Sequence, residues 1–467
     1  MTIPSQLHFV GIGGVGMSAL ATVWKDKGGI VSGSDVQPSA IVSRLQASGI
    51  PVTIGHDRAN VPGIDGSSRP GDVGLVVSTA VAPDNPEVLA ARQAGIPILH
   101  RSEILAALMA SGRSVAVTGT HGKTTTSAMI GTLLLDGGLD PTILVGGEVP
   151  WIGGNARTGH SDLLVAEADE SDRSVLRLSA RWAVVTNLES DHLDHYRDLD
   201  DIVDTIATWV DRLPNDAEVV ACIDDPGVRR LLERTNRRVV TYGWSPEADF
   251  CISSEQLAAS GSEFVVNGER YAISVPGRHN VADATAAIVV ALLCGLSPEA
   301  IRHGLARFSG VGRRFQTRGT AAGVQILEDY GHHPSEIRAT LEAARLLKRP
   351  VWILFQPHRY SRTAALMEDF AACFEGAAGL GLMDIYSAGE APNGATSAAL
   401  EARVKDRCPK LEVHYWPDHE QATLGLLQVI RPGDVVLLMG AGNVGKVADP
   451  LLAQLRLLEE AVSVSPA

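Results

Sequence analysis

Three times along the chain an apolar run ends in a glycine-rich loop that opens onto a helical stretch. Leu7 to Val10 runs into Gly11-Ile12-Gly13-Gly14-Val15-Gly16, with a helix expected over Met17 to Lys25. Ser114 to Val117 leads into Thr118-Gly119-Thr120-His121-Gly122-Lys123-Thr124-Thr125-Thr126 and a helix over Ser127 to Leu135; Val435 to Met439 leads into Gly440, Gly442 and Gly445. A strand, a tight turn and a helix in that order form the βα half of a parallel crossover, so the fold class is α/β with mostly parallel sheets covered by helices. Further strands are expected at Ile30 to Ser32, Leu75 to Ser78, Leu163 to Ala166, Trp182 to Thr186, Val219 to Ile223, Val324 to Leu327, Val351 to Phe355 and Gly381 to Tyr386. Val265 to Val275 alternates like one arm of a hairpin. At 467 residues the chain is long enough for several domains, and the glycine loops divide it into three α/β units: 1–110, 111–311 and 312–467, with Ser309 to Gly312 as a linker. The stretches Val61 to Gly71 and Ala388 to Gly394 read as surface loops.

Charge narrows the partners. Lys and Arg number 40 against 54 Asp and Glu, a formal net charge of −14, which repels a phosphate backbone and argues against nucleic acid. The five cysteines form no CxxC pair and are odd in number, so reduced thiols in a cytoplasmic protein are expected. The longest apolar stretch, Ala284 to Leu296, is too short to span a bilayer, and no membrane partner is expected. Oligomeric state is unreadable from the sequence.

The loops carry the chemistry. Gly11, Gly13 and Gly16 follow a strand with the G-x-G-x-x-G spacing, and Asp35 stands where an acid can reach a ribose hydroxyl. Gly13, Gly14, Gly16, Met17 and Asp35 are therefore candidates for a nucleotide-linked substrate. Gly440, Gly442 and Gly445 repeat the spacing with no acid following, so packing explains them at least as well. In the second loop Val117 stands where a P-loop has its first glycine, but Gly122 allows close approach to phosphates, Lys123 reaches the β- and γ-phosphates and Thr124 offers a hydroxyl to Mg²⁺. Two acidic clusters, Glu167-Ala168-Asp169-Glu170-Ser171-Asp172 and Glu189-Ser190-Asp191-His192-Leu193-Asp194, follow apolar strands, which in a parallel sheet brings them to the edge that carries the glycine loop. Carboxylates and an imidazole there are plausible magnesium ligands. Arginine- and histidine-bearing segments around Arg278-His279-Asn280, Arg313-Arg314, Asp329 to His333 and His358 to Arg362 suit anionic groups. Placed on a strand, His332 and His333 would face opposite ways.

These motifs in this order (GIGGVGM, GTHGKTTT, AEADESD, DHLD, GRHN, GRRF, DYGHHP, FQPHRYSRT, GAGNVG) resemble the Mur ligase family of ATP-dependent amide-forming enzymes over nearly the whole chain. The resemblance implies an N-terminal Rossmann-like domain for a UDP-sugar, a central P-loop ATPase domain and a C-terminal Rossmann-like domain for an amino acid. It implies that ATP activates the lactyl carboxylate of UDP-N-acetylmuramate as an acyl phosphate, which the amine of L-alanine attacks. The alternative within the family attaches a recycled peptide to the same sugar. By this similarity Gly119, Thr120, His121, Gly122, Lys123, Thr124, Thr125, Asn280, Arg314 and Asp329 hold the nucleotide; Thr124, Glu167 and His192 hold magnesium; and Tyr330, His332, Arg359 and Arg362 line the acceptor side. Lys123, His192, His332, Arg359 and Arg362 are the implied catalytic set. Asp283 stands where the family often has asparagine, and Glu328 where aspartate is common. Some relatives use a carbamylated lysine in the central domain, yet no lysine lies between Lys123 and Lys348. Outside the family, a nicotinamide oxidoreductase leaves GTHGKTTT unexplained, and a nucleotide-binding switch is the remaining rival.

Overall fold

The computed structural model describes residues 3–64, 71–192 and 195–464. Residues 65–70 of the expected loop Val61 to Gly71, and Leu193 and Asp194 of the DHLD motif, lie outside the described residues.

Three sheets succeed one another along the chain. The first holds β1 (Gln6–Val10), β2 (Ile30–Asp35), β3 (Val52–Ile54), β4 (Val73–Val77) and β5 (Ile98–His100) in the order β3-β2-β1-β4-β5, all parallel. The second comprises β6 (Arg113–Thr118), β7 (Thr142–Val149), β8 (Gly154–Arg157), β9 (Leu163–Glu167), β10 (Trp182–Val185), β11 (Glu218–Cys222), β12 (Val239–Gly243), β13 (Phe250–Ala258), β14 (Gly261–Val266) and β15 (Glu269–Ile273). Its order is β15-β14-β13-β12-β11-β10-β6-β9-β7-β8, and only the β13-β14-β15 meander and the β7-β8 pair are antiparallel. The third, β16 (Gln316–Ala321), β17 (Val324–Asp329), β18 (Val351–Phe355), β19 (Gly379–Leu382), β20 (Glu412–Tyr415) and β21 (Val435–Met439), runs β16-β17-β21-β18-β19-β20 with β16 alone antiparallel. Central strands such as Val435–Met439 are buried at every position, as expected where helices cover both faces.

Three expectations need correction. Val265 to Val275 is not one arm: Asn267 and Gly268 adopt φ of 47° and 87°, the pair of left-handed residues that a tight hairpin turn requires, and the chain reverses there between β14 and β15. His332 and His333 do not lie on a strand, because β17 ends at Asp329 and His333 is the N-cap of the helix Pro334–Arg345. The expected strand at Gly381 to Tyr386 is also shorter, ending at Leu382. All five cysteines are free, and among the described residues no helix is long and apolar enough to cross a membrane.

Because β10, β6 and β9 are adjacent and parallel, the segments leaving their carboxyl ends share one edge. The phosphate loop, the Glu167 cluster and the Glu189 cluster converge there.

Candidate active site

Left-handed backbone shapes the phosphate loop. Gly119 and Gly122 have φ of 129° and 82°; a Cβ at Gly119 would approach Thr186 Oγ1 to 2.2 Å and one at Gly122 would approach Asp283 Oδ1 to 2.5 Å. Asn187 anchors the loop: its Oδ1 accepts from the His121 N–H at 2.8 Å and its carbonyl accepts from the Thr120 N–H at 3.0 Å. The helix Lys123–Asp136 then begins, with Thr124 and Thr125 buried in its first turn. Its free N–H groups face the loop, an arrangement that suits phosphate.

Lys123 folds back over this loop. Its ammonium donates to the carbonyl of Gly119 at 2.5 Å, that of Thr120 at 3.2 Å and Glu170 Oε1 at 2.9 Å. Burial works against its charge, but Glu170, Asp169 and Glu167 outweigh it and hold its pKa above the usual lysine value. The same Glu170 oxygen lies 3.8 Å from His192 Nε2, and Asp191 Oδ2 lies 3.6 Å from it. Glu167 accepts hydrogen bonds from the Gly146 N–H and from Thr124, while burial raises its pKa. Thr124 and Glu167 thus form one oxygen pair, and His192 reaches Lys123 through Glu170. Hard oxygen donors beside a phosphate loop fit Mg²⁺.

His121, Gly122, Thr125, Asn280, Arg314 and Asp329 line one cavity of about 750 Å³. Asp283 lines it too; burial pushes its carboxyl up to about 7 even though Thr126 donates to Oδ1 at 3.1 Å. From the six-stranded unit, Arg314 sets Nη1 at 3.5 Å from Glu336 Oε1, and Asp329 accepts from the N–H groups of Phe315 and Gly331 at 2.8 and 2.7 Å.

The two implied acceptor arginines take different partners. Arg362 forms a bidentate pair with Asp191, whereas Arg359 Nε faces Glu390 at 3.3 Å. Burial drives His332 down to about 3, leaving it neutral, with Nδ1 3.0 Å from the Tyr330 carbonyl and its ring edge-on to Tyr330. Both arginine planes of Arg313 and Arg314 lie over the Tyr330 ring.

In the first unit Gly14 caps the helix Val15–Asp26, in which Met17 is buried. Asp35 closes the glycine loop on itself, accepting from the Gly13 N–H at 2.8 Å. A Cβ on Gly13 would stand 2.7 Å from that carboxylate, and one on Gly16 would stand 3.5 Å from Arg101 Nη1. Arg101 in turn reaches Asp169 Oδ2 at 2.5 Å, joining the first glycine loop to the central acidic cluster. The third glycine loop packs instead: a Cβ on Gly445 would meet Glu328 Oε1 at 2.3 Å, and Glu328 is already held by Arg313 and Arg318.

The Mur ligase family models cover this arrangement in order: the Mur ligase family, catalytic domain matches residues 6–113, the Mur ligase middle domain 117–291, and the Mur ligase, glutamate ligase domain 313–442. The chain belongs to the Mur ligase family. UDP-N-acetylmuramate--L-alanine ligase of Geobacter sp. (strain M21) is 44% identical over 463 residues, covering 97% of this chain and 98% of the relative. The enzyme of the same name from Solibacter usitatus is 45% identical over 461 residues, with 97% and 96% covered. Among solved structures, UDP-N-acetylmuramate-alanine ligase MurC from Thermotoga maritima aligns with a TM-score of 0.79 at 26% identity, covering 98% of this chain and 100% of that one. MurF from Thermotoga maritima in complex with ADP shares the fold, with a TM-score of 0.62 at 18% identity over 84% of this chain and 97% of that one.

Within this Mur ligase chain, several site residues escape the motif reading. Glu170 sits inside a recognised acidic cluster, but nothing in the sequence ties it to Lys123. Arg101 and Asp191 act across unit boundaries. Glu336 had a local signal, since its carboxylate accepts from the His333 N–H three residues earlier at 3.1 Å, the reciprocal spacing of a helix-capping box.

Proposed function

We propose that the chain joins L-alanine to UDP-N-acetylmuramate with conversion of ATP to ADP and phosphate. A lactyl carboxylate oxygen attacks the γ-phosphorus and ADP leaves; the amine of L-alanine then attacks the acyl carbon, phosphate departs with the C–O pair, and the amine loses a proton. The reading assigns the UDP-sugar to residues 1–110, ATP to 111–311 and the amino acid to 312–467, in the cytoplasm. The observation that carries it is the cavity walled by the phosphate loop from one side and by Arg314 and Asp329 from the other, together with full-length relatives of that activity.

In this mechanism two anions must meet, and fixed positive groups lower the barrier to their approach. Lys123 supplies charge at the phosphates, and Arg314 adds it from the opposing unit. Thr124, Glu167 and His192 would hold magnesium, which offsets phosphate charge when bound. Gly14 and Gly16 would receive a pyrophosphate beside Arg101, while the Gly13 N–H is already taken by Asp35. Neutral His332 and Tyr330 border the acceptor side.

Phosphate release measured with UDP-N-acetylmuramate alone, L-alanine alone and both tests the reading. The expected result is release only with both. Release with neither substrate fits a nucleotide switch and overturns it, and release that needs a peptide in place of L-alanine replaces it with the muropeptide alternative.

A further inference from the structure

His121 of the phosphate loop, Glu189 beyond β10 and His333 at the start of the helix Pro334–Arg345 turn two imidazoles and a carboxylate towards one another, with the three donor atoms all within 4.8 Å. His121 Nε2 and His333 Nδ1 each stand 3.6 Å from Glu189 Oε2. Tetrahedral zinc with bonds of about 2.0–2.2 Å sets its donors roughly 3.3–3.6 Å apart, which the two Glu189 spacings match, while the two imidazoles, within 4.8 Å of one another, would close on the ion. We propose that this triad is a binding site for Zn²⁺ or a similar borderline divalent cation, separate from the Thr124 and Glu167 oxygens, and that the ion ties the central unit to the C-terminal one.

Features beyond the donor set point the same way. Nε2 of His121 is withdrawn from solvent with no hydrogen-bond partner, and His333 is only 5% exposed; buried polar atoms rarely stay unpaired, and an ion at His333 Nδ1 would displace only a 3.4 Å contact with the Ser335 N–H. On the far side of the His121 ring, Nδ1 faces Glu336 Oε1 at 3.3 Å. A carboxylate in that place fixes the tautomer that leaves Nε2 free for a metal. Ser335 donates to Glu189 Oε2 at 2.5 Å and orients that ligand similarly. Two imidazoles and one carboxylate favour zinc over magnesium. Glu189 borders both the 750 Å³ cavity and a second one of about 390 Å³, which provides a path of entry.

The test is calorimetric titration of the full-length, tag-free protein with ZnCl₂ at pH 7, without nucleotide, alongside the visible spectrum with Co²⁺. One saturable site is expected, with tetrahedral cobalt bands. His333→Ala and Glu189→Gln should each weaken binding tenfold or more, while His160→Ala, at an exposed histidine elsewhere, leaves it unchanged. Absence of saturable zinc binding by the unaltered protein overturns the proposal whether or not the variants fold. Binding indifferent to both His333→Ala and Glu189→Gln overturns it as well. Substrates are absent throughout, so the outcome is independent of the ligase reading.

Discussion

Arg362 and Asp191 meet as a bidentate ion pair between the six-stranded and ten-stranded units, with Nε–Oδ1 and Nη2–Oδ2 both at 3.1 Å and the two residues 8% and 6% exposed. Burial alone would raise the aspartate, but the guanidinium and His192 hold it far below the usual carboxylate range. Removing one partner strands a buried charge, so Arg362→Ala should cost on the order of 3–5 kcal/mol. Asp191→Asn in the same chain should recover part of the loss. Urea unfolding of the four proteins gives the coupling energy, and a value near zero would sink the pair as a link between units.

Lys123→Ala should lower amide formation by on the order of 10² or more while leaving affinity for the UDP-sugar nearly intact. The lysine serves phosphate charge in the central unit, and the glycine loop assigned to the sugar nucleotide lies in the first. Calorimetric titration with UDP-N-acetylmuramate beside a product assay checks both halves. Equal loss of the two would contradict the division of labour.

Asp283 makes a pH prediction whose sign follows from burial. Its folded pKa of about 7 lies above the 3.8 usual for aspartate, so the folded state loses stability as pH rises from about 4 to about 7, and the penalty is constant above that range. Asp283→Asn keeps an acceptor for Thr126 and removes the penalty. The variant should be more stable than the parent by on the order of 2–4 kcal/mol above pH 7, with the difference vanishing near pH 4. Denaturant unfolding across pH 4–8 reads this directly, and a gap independent of pH would refute it.

His192→Ala should raise the magnesium concentration needed for half-maximal activity, because a neutral imidazole would be lost from the ligands. An unchanged magnesium curve would leave His192 only its contacts with Glu170 and Asp191.

Activity should be indifferent to bicarbonate. A carbamate needs a lysine amine, and between Lys123 and Lys348 there is none; Lys123 itself is held as an ammonium by Glu170. Stimulation by bicarbonate at fixed pH and ionic strength, or a mass gain of one CO₂ on a central peptide, would refute this.

Local pattern made much of the fold legible. Apolar runs ending in glycine loops mark β1, β6 and β21, and their shared parallel direction places the acidic clusters beside the phosphate loop. The hairpin at Asn267-Gly268 was masked because alternation continues through it on both sides. Contacts such as Asp191 with Arg362, 171 residues apart, depend on how whole units dock, and hydrophobic periodicity carries no record of docking. Glu170 was visible as an acid but not as the partner of Lys123, since that pairing follows from the approach of β9 to β6.

The Lys123–Glu170 contact changes what nucleotide binding amounts to. The loop already holds an internal anion, so a phosphate enters by exchange and not by filling an uncompensated positive hole. That carboxylate already lies 3.8 Å from His192, so on the proposed reading one glutamate borders both the place of the phosphate and the place of the cation.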